Sequence, residues 1–285
     1  MTTNYKMPAR LLSAGISNAK TKKNELKTFI LYLAPYNQNY KGVNICPKAS
    51  KGCAAACLFT AGRGAFNNVQ SARINKTNFY IENKSLFIKK LAGEIIKETA
   101  KAKKKGEKIA FRLNGTSDLD FIYLLKKYAG IHPFSLKSLI YYDYTKIAGK
   151  VKKYINESRY KLTFSRDETN AEFIPELLKL GANISVVFNG PIPSQYWGRP
   201  VIDGDKSDIV MLYNTGAVLA LKAKGDAKKD STGFVVHTNE TKPARFTYAQ
   251  FLEIEAIQKA GRSLDQLSPN EFTALKNERF LNQLR

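Results

Sequence analysis

KIAFRLN, from Lys108 to Asn114, is a mostly apolar run of strand length that ends on a polar residue. Similar runs recur along the chain, and the segments between them place apolar residues three or four positions apart, as amphipathic helices do. We predict strands at residues 28–34, 108–114, 136–142, 160–165, 183–189, 200–203 and 218–222, and helices at residues 78–105, 120–128, 145–156 and 170–180. This alternation of strands and helices indicates an α/β fold with a parallel sheet and helical crossovers.

The predicted sheet could close into a barrel or stay open. We expect residues 1–247 to form a parallel (β/α) barrel, full or partial, because the chain is long enough for one such domain. An open doubly wound sheet is the alternative, since periodicity does not show whether the last strand pairs with the first. Residues 248–285 are predicted to be a tail of two helices, the second starting near Ser268, where a serine cap precedes Pro269.

Cys46, Cys53 and Cys57 are the only cysteines, and they lie between the first predicted strand and the helical segment that follows it. We call residues 44–64 the cysteine loop. Three thiolates are too few for a closed zinc site unless a distant histidine folds in, whereas they suit a [4Fe-4S] cluster with one iron left for another ligand. The alternatives are ordinary buried residues or a regulatory thiol pair. The odd number and close spacing favour a metal site.

Polar residues follow the predicted strands. In parallel α/β folds the carboxyl ends of the strands share one edge, so we expect these polar segments and the cysteine loop to form one pocket. Each segment taken alone also fits a helix cap, where Asp, Asn, Ser and Thr are preferred. The segments are residues 114–118, 143–146, 165–170, 189–191 and 203–208.

A three-cysteine loop directly after the first strand of an α/β barrel resembles the radical S-adenosylmethionine (SAM) enzymes. The resemblance implies that Cys46, Cys53 and Cys57 hold a [4Fe-4S] cluster whose open iron binds SAM. The cysteine spacing here is wider than the usual spacing of that superfamily. The resemblance implies that SAM faces Asn114, Ser117 and Asp118, and that the substrate side is lined by Arg166, Asp203, Asp205 and Lys206.

A second resemblance, to a group of bacteriophage proteins, covers most of the chain. It implies a viral gene product that acts in the cytoplasm of an infected bacterium. The absence of an apolar signal segment or a membrane-length apolar run agrees with that expectation. The segments that carry the resemblance are residues 46–58, 62–64, 112–118, 162–166, 201–208 and 221–225.

The chain is strongly basic, with 46 Lys and Arg residues against 24 Asp and Glu residues and a net charge of +22. Lysine-rich runs at residues 101–108 and 222–229 predict attraction to nucleic acid or another anionic ligand. Solvated helix ends are the alternative for each run. No motif that reads nucleic-acid sequence is found.

Three functions therefore remain open. The first is a radical-SAM-type enzyme, and the second is a cluster protein that serves electron transfer, sensing or binding without SAM chemistry. The third is a basic nucleic-acid-binding protein whose cysteines hold zinc or no metal.

Overall fold

The computed structural model describes residues 3–15 and 26–238. The described residues form one mixed α/β unit around a ten-stranded, mostly parallel sheet. Its strands are β1 (Leu12–Ala14), β2 (Lys27–Leu31), β3 (Ile109–Arg112), β4 (Leu139–Thr145), β5 (Tyr160–Ser165), β6 (Asn183–Asn189), β7 (Gln195–Tyr196), β8 (Arg199–Asp203), β9 (Val218–Lys222) and β10 (Val235–His237).

Seven α-helices occur in the described part of the chain. Short 3-10 turns join some of them, and one of these turns, Gly62–Ala65, closes the cysteine loop. The helices are α1 (Lys51–Ala55), α2 (Asn67–Glu82), α3 (Lys84–Lys104), α4 (Phe121–Ala129), α5 (Ala148–Tyr154), α6 (Ile174–Lys179) and α7 (Val210–Tyr213).

Local sequence signals explain where helices begin and end. The side chain of Asp120 accepts a hydrogen bond from the Tyr123 backbone N–H and caps the start of α4. Gly130 ends the same helix with a φ of 66°, a left-handed conformation that glycine adopts without steric cost. The long helical segment predicted up to Lys105 is interrupted at Asn83, which separates α2 from α3.

The strand order is β1-β2-β3-β4-β5-β6-β9-β8-β7, with β10 paired to β6 beyond the point where β5 ends. From β2 to β6 each crossover moves to the next position in the same direction. Because parallel crossovers are right-handed, they place helices α2 to α6 on one face of the sheet. Phe111 and Tyr141 point to that face and belong to the main core with residues of those helices. The opposite face carries a smaller cluster that includes Tyr142, Met211 and Leu219.

The sheet is open, so the expected closed barrel is wrong. β1 pairs antiparallel with β2 and covers the edge that a closing strand would need. The other end of the sheet is formed by the antiparallel pair β7 and β8. The alternative of an open sheet is right. Helices α2 to α6 pack on one face, and α7 contributes Met211 to the cluster on the other face.

Most predicted strands lie where the sequence placed them. The ranges 160–165, 183–189 and 218–222 match β5, β6 and β9. β4 begins three residues later than predicted, after a 3-10 turn at Pro133–Ser135. The short strands β1, β7 and β10 were not predicted, because each is too short to show periodicity. The predicted tail and its boundary at residue 248 lie outside the described residues.

Candidate metal centre

The cysteine loop follows β2 and lies at the carboxyl edge of the parallel strands. Ser50 caps α1, and its hydroxyl accepts the Cys53 backbone N–H at 3.1 Å. Cys46 precedes this short helix, and Cys57 follows its C-terminal cap, Ala56. All three cysteines are partly buried free thiols.

The sulfur of Cys46 accepts a hydrogen bond from a backbone N–H group. It accepts the Tyr36 N–H at 3.4 Å and lies 3.8 Å from the carbonyl oxygen of Thr116, in the loop after β3. Tyr36 has a φ of 51°, which costs a residue with a side chain roughly 1–2 kcal/mol. A strained residue that directs an N–H at a sulfur atom indicates a functional position.

The segment around Cys53 is held by a carboxylate from the loop after β5. Glu168 accepts hydrogen bonds from the Ser50 hydroxyl and from the Gly52 N–H, each at 2.7 Å. Lys146, just after β4, is close enough to oppose the rise in the Cys53 pKa, and its ammonium lies 3.2 Å from Asp167. The loops after β2, β4 and β5 therefore meet around this cysteine.

Cys57 faces α2. The Phe59 backbone N–H and the Arg73 guanidinium both act to lower the pKa of its thiol. Arg73 stacks on the Tyr32 ring at 4.8 Å and on the Phe59 ring at 5.9 Å. The third cysteine is thus placed beside a partly buried cation.

Burial keeps the thiols protonated in the absence of a metal. It raises the pKa of Cys46 to about 12 and that of Cys53 to about 11, and it also raises the pKa of Cys57. Cys57 adds to the increase at both other thiols, so the three sulfur atoms sense one another's charge. Binding of a positively charged metal centre would release these protons.

The described residues contain no group of three His, Cys, Asp or Glu side chains gathered as one metal ion requires. A cubane cluster requires a wider spacing of its ligands, because each of three separate irons takes one thiolate. Three cysteines of one loop with mutual electrostatic coupling fit a multi-iron cluster better than a single zinc ion.

The predicted SAM ligands are engaged within the protein. Asp118 accepts the Thr145 hydroxyl at 2.7 Å and the Lys146 N–H at 2.8 Å, and its carboxylate lies 3.2 Å from the Lys150 ammonium. The Asn114 side-chain oxygen accepts the Ser117 hydroxyl at 3.0 Å. These bonds fold the loop after β3 onto β4 and α5.

Arg166, predicted on the substrate side, is linked to the cysteine loop through the segment at residues 233–234. It donates hydrogen bonds to the carbonyl oxygens of Gly233 and Phe234, the latter at 2.9 Å. Phe234 packs in one small apolar cluster with Ala56, and Cys53 lies against that cluster. Arg166 therefore supports the segment that covers the loop.

The other three predicted residues form a separate group after β8. Asp203 accepts the Asp205 N–H at 2.9 Å, and Asp205 forms an ion pair with Lys224 at 2.8 Å. Lys206 is exposed. The group is linked to the cysteine loop indirectly, because Ala223, the neighbour of Lys224, packs in the cluster with Ala56.

Sequence reasoning did not single out Glu168, Lys146 or Arg73. Glu168 and Lys146 belong to the polar segments recognised after two strands, so their position at the edge was visible, but their contact with the cysteines was not. Arg73 gave no signal, because a single arginine in a polar helix is usually solvated.

A basic surface lies at the opposite, amino edge of the sheet, where α3 ends. Its lysines are exposed, and they surround the start of β2 and the segment that leads into β3. The surface consists of Lys27, Lys101, Lys103, Lys104, Lys105 and Lys108.

None of the helices in residues 3–15 and 26–238 has the length and apolar character needed to cross a bilayer. No curated protein and no solved structure matches the chain. The model of one protein family, described as Gene product 88, matches residues 10–238, a range that contains the whole cysteine loop and all ten described strands. This chain therefore belongs to the Gene product 88 family.

Proposed function

We propose that this protein is an iron–sulfur protein in which Cys46, Cys53 and Cys57 hold a [4Fe-4S] cluster. The observation that supports the proposal most is the environment of the three thiols. They come from one loop, burial raises the pKa of each, and they are electrostatically coupled. Such thiols become stable thiolates only beside strong positive charge, which iron ions supply.

The chain's own residues prepare the loop for this role. Glu168 fixes α1 through Ser50 and Gly52, and the Tyr36 N–H is directed at the Cys46 sulfur. When bound, the cluster would supply one-electron transfer and one iron open to a further ligand. Phe234 and its neighbours cover one side of the loop and limit the access of water.

The role in electron transfer, sensing or binding is favoured over SAM chemistry. The carboxylate of Asp118 is already bound by Thr145, Lys146 and Lys150, so it is not presented to a SAM ammonium group. The resemblance to bacteriophage proteins leads us to propose further that the protein acts in the cytoplasm of an infected bacterium. Thiols stay reduced in that compartment.

Anaerobic expression with ample iron and sulfur tests the proposal. We expect a brown protein with about four irons and four sulfides per chain, as the cubane requires. Cys53→Ala should lose most of its iron, whereas Lys48→Ala, at an exposed position in the same loop, should keep it. Iron-free wild-type protein, or protein with zinc alone, would contradict the proposal.

Addition of SAM and a reductant distinguishes the two cluster functions. Formation of 5′-deoxyadenosine would establish the radical-SAM-type activity, and a cluster that is reduced without cleaving SAM would support the other role. The measurement uses the same anaerobic protein, with Cys53→Ala as the control for background cleavage.

The basic surface supports nucleic-acid binding as a second function. The six exposed lysines at the end of α3 and around the start of β2 create a local positive field that attracts phosphates. Binding to a generic duplex should weaken steeply with salt. Replacement of Lys103, Lys104 and Lys105 by Gln should weaken binding and reduce the salt slope by about three, since each lost phosphate contact removes about one unit. An unchanged slope would contradict this function.

A further inference from the structure

Arg73 is a partly buried cation with no carboxylate partner among the described residues. Its Nε and Nη1 atoms are shielded from solvent and have no hydrogen-bond partner among the described residues. The side chain stacks between the Tyr32 and Phe59 rings, which attract a cation but accept no directed N–H bond. A guanidinium held in this way is costly unless an anion lies beside it.

The described residues supply no such anion. Burial lowers the pKa of Arg73, and the groups that oppose this effect are Tyr32 and Cys57, neither of which is a carboxylate. Of these two groups, Cys57 is the one that belongs to the proposed cluster site, so a cluster bound there would place negative charge beside Arg73.

The position of Arg73 is fixed by close packing. Gly64 lies so near that a Cβ atom there would be 3.3 Å from Nη1 and 2.6 Å from the Leu58 carbonyl oxygen. The 3-10 turn of the cysteine loop thus rests directly against the guanidinium. The cation is held in place before any ligand binds.

Lys146 provides a contrast on the other side of the loop. It also influences a cysteine, Cys53, but its ammonium is paired with Asp167 at 3.2 Å. The charge of Lys146 is therefore compensated by a carboxylate of the protein, whereas no described carboxylate compensates the charge of Arg73.

We propose that Arg73 is a positioning residue for the cluster: it compensates the negative charge at the Cys57 corner, donates N–H hydrogen bonds to sulfur there, and raises the reduction potential. This inference rests on the proposed function. A positive charge and N–H donors near the sulfurs stabilise the reduced cluster, which carries one more electron than the oxidised cluster.

A redox titration of the anaerobically prepared holoprotein tests the role of Arg73. The ratio of oxidised to reduced cluster would be followed by EPR in the wild type, Arg73→Gln and Arg73→Lys. At the wild-type midpoint, Arg73→Gln should shift this ratio towards the oxidised form by at least tenfold, which is about 59 mV for a one-electron couple. Arg73→Lys keeps the charge but loses the planar donors, so it should shift the ratio by less. Lys97→Gln removes an exposed charge from α3 and should leave the midpoint unchanged.

The outcomes separate this inference from the function on which it rests. Iron-loaded Arg73→Gln and Arg73→Lys proteins with the wild-type midpoint would overturn the role of Arg73 and leave the cluster in place. Iron-free wild-type protein would remove both. If Arg73→Gln loses its iron, a lowered midpoint in Arg73→Lys supports the inference, and an unchanged midpoint in Arg73→Lys overturns it.

Discussion

The Glu168 carboxylate binds the cysteine loop at Gly52, whose backbone N–H it contacts at 2.7 Å across 116 residues of sequence. The second carboxylate oxygen accepts the Ser50 hydroxyl, which in turn accepts the Cys53 N–H. One side chain at the end of β5 thus orients the segment that carries the central cysteine.

If the proposed cluster is bound, Glu168→Gln should weaken iron binding without unfolding the protein. The amide accepts only one of the two hydrogen bonds, and loss of an outer partner of a metal ligand typically costs 10–100-fold in affinity. Iron retention during dialysis against a chelator measures the effect. Glu172→Gln, exposed in the turn that follows, is the matched control. Equal retention in both variants would show that the Glu168 contacts are not needed.

Gly52→Ala should destabilise the protein. A Cβ atom at this position would lie 2.6 Å from the Cβ of Phe234 and 2.9 Å from the Glu168 carboxylate, so the covering segment must shift. Overpacking of this kind costs about 1–3 kcal/mol of unfolding free energy.

Urea unfolding measures that loss, and Gly93→Ala serves as the comparison. Gly93 lies within α3 with no atom near its missing Cβ, so alanine there should stabilise the protein by about 0.5–1 kcal/mol. Effects of the same sign at both glycines would contradict the packing argument at Gly52.

Asp143 should make stability depend on pH. Burial raises the pKa of its carboxyl group to about 6, although Lys150 and the Asn114 N–H act to lower it. The unfolded chain releases this proton near its ordinary pKa of 3.8, whereas the folded protein keeps it up to about pH 6. The folded state therefore binds more protons between these values, and the unfolding free energy falls as pH rises through that window.

The expected size of this fall is roughly 3 kcal/mol, at about 1.4 kcal/mol per unit of pKa shift. Asp143→Asn cannot titrate and should lose this part of the pH dependence. Unfolding at pH 4, 5, 6 and 7 in both proteins provides the comparison. Parallel curves would mean that Asp143 ionises alike in the folded and unfolded states.

Arg112 and Asp208 form an ion pair on the face opposite helices α2 to α6. The distance between Arg112 Nη1 and Asp208 Oδ2 is 2.9 Å, and Asp208 is fully buried. The Arg112 guanidinium also lies 4.9 Å from the centre of the Tyr144 ring. Asp208→Asn leaves the guanidinium without its countercharge and should cost about 3–5 kcal/mol of unfolding free energy.

The double variant Arg112→Met with Asp208→Asn should recover much of that loss, because no uncompensated charge remains. A double-mutant cycle from urea unfolding gives the coupling energy. Additive losses would show that the two side chains do not stabilise each other.

The local elements of the fold could be predicted from the sequence. β5, β6 and β9 lie at the predicted residues because apolar runs of strand length depend only on neighbouring side chains. The placement of the cysteine loop after β2 follows from the same local signal. Three-residue strands such as β1 and β10 leave no such pattern.

Only part of the candidate site could be predicted from the sequence. Cys46, Cys53 and Cys57 were predicted as a candidate site because three cysteines occur close together in sequence. Glu168 contacts that loop from the segment after β5, and Arg73 does so from α2. A lone charged residue in a polar segment looks the same in sequence whether it is solvated or buried.

The sequence by itself determined the alternation of strands and helices and the grouping of three thiols after the first strand of the parallel set, since both depend on spacing along the chain. Tertiary structure alone decided that the sheet stays open, because β1 occupies the edge of β2. It also decided which charges surround the cysteines, because Gly52 and Glu168 meet only when strands distant in sequence pair side by side.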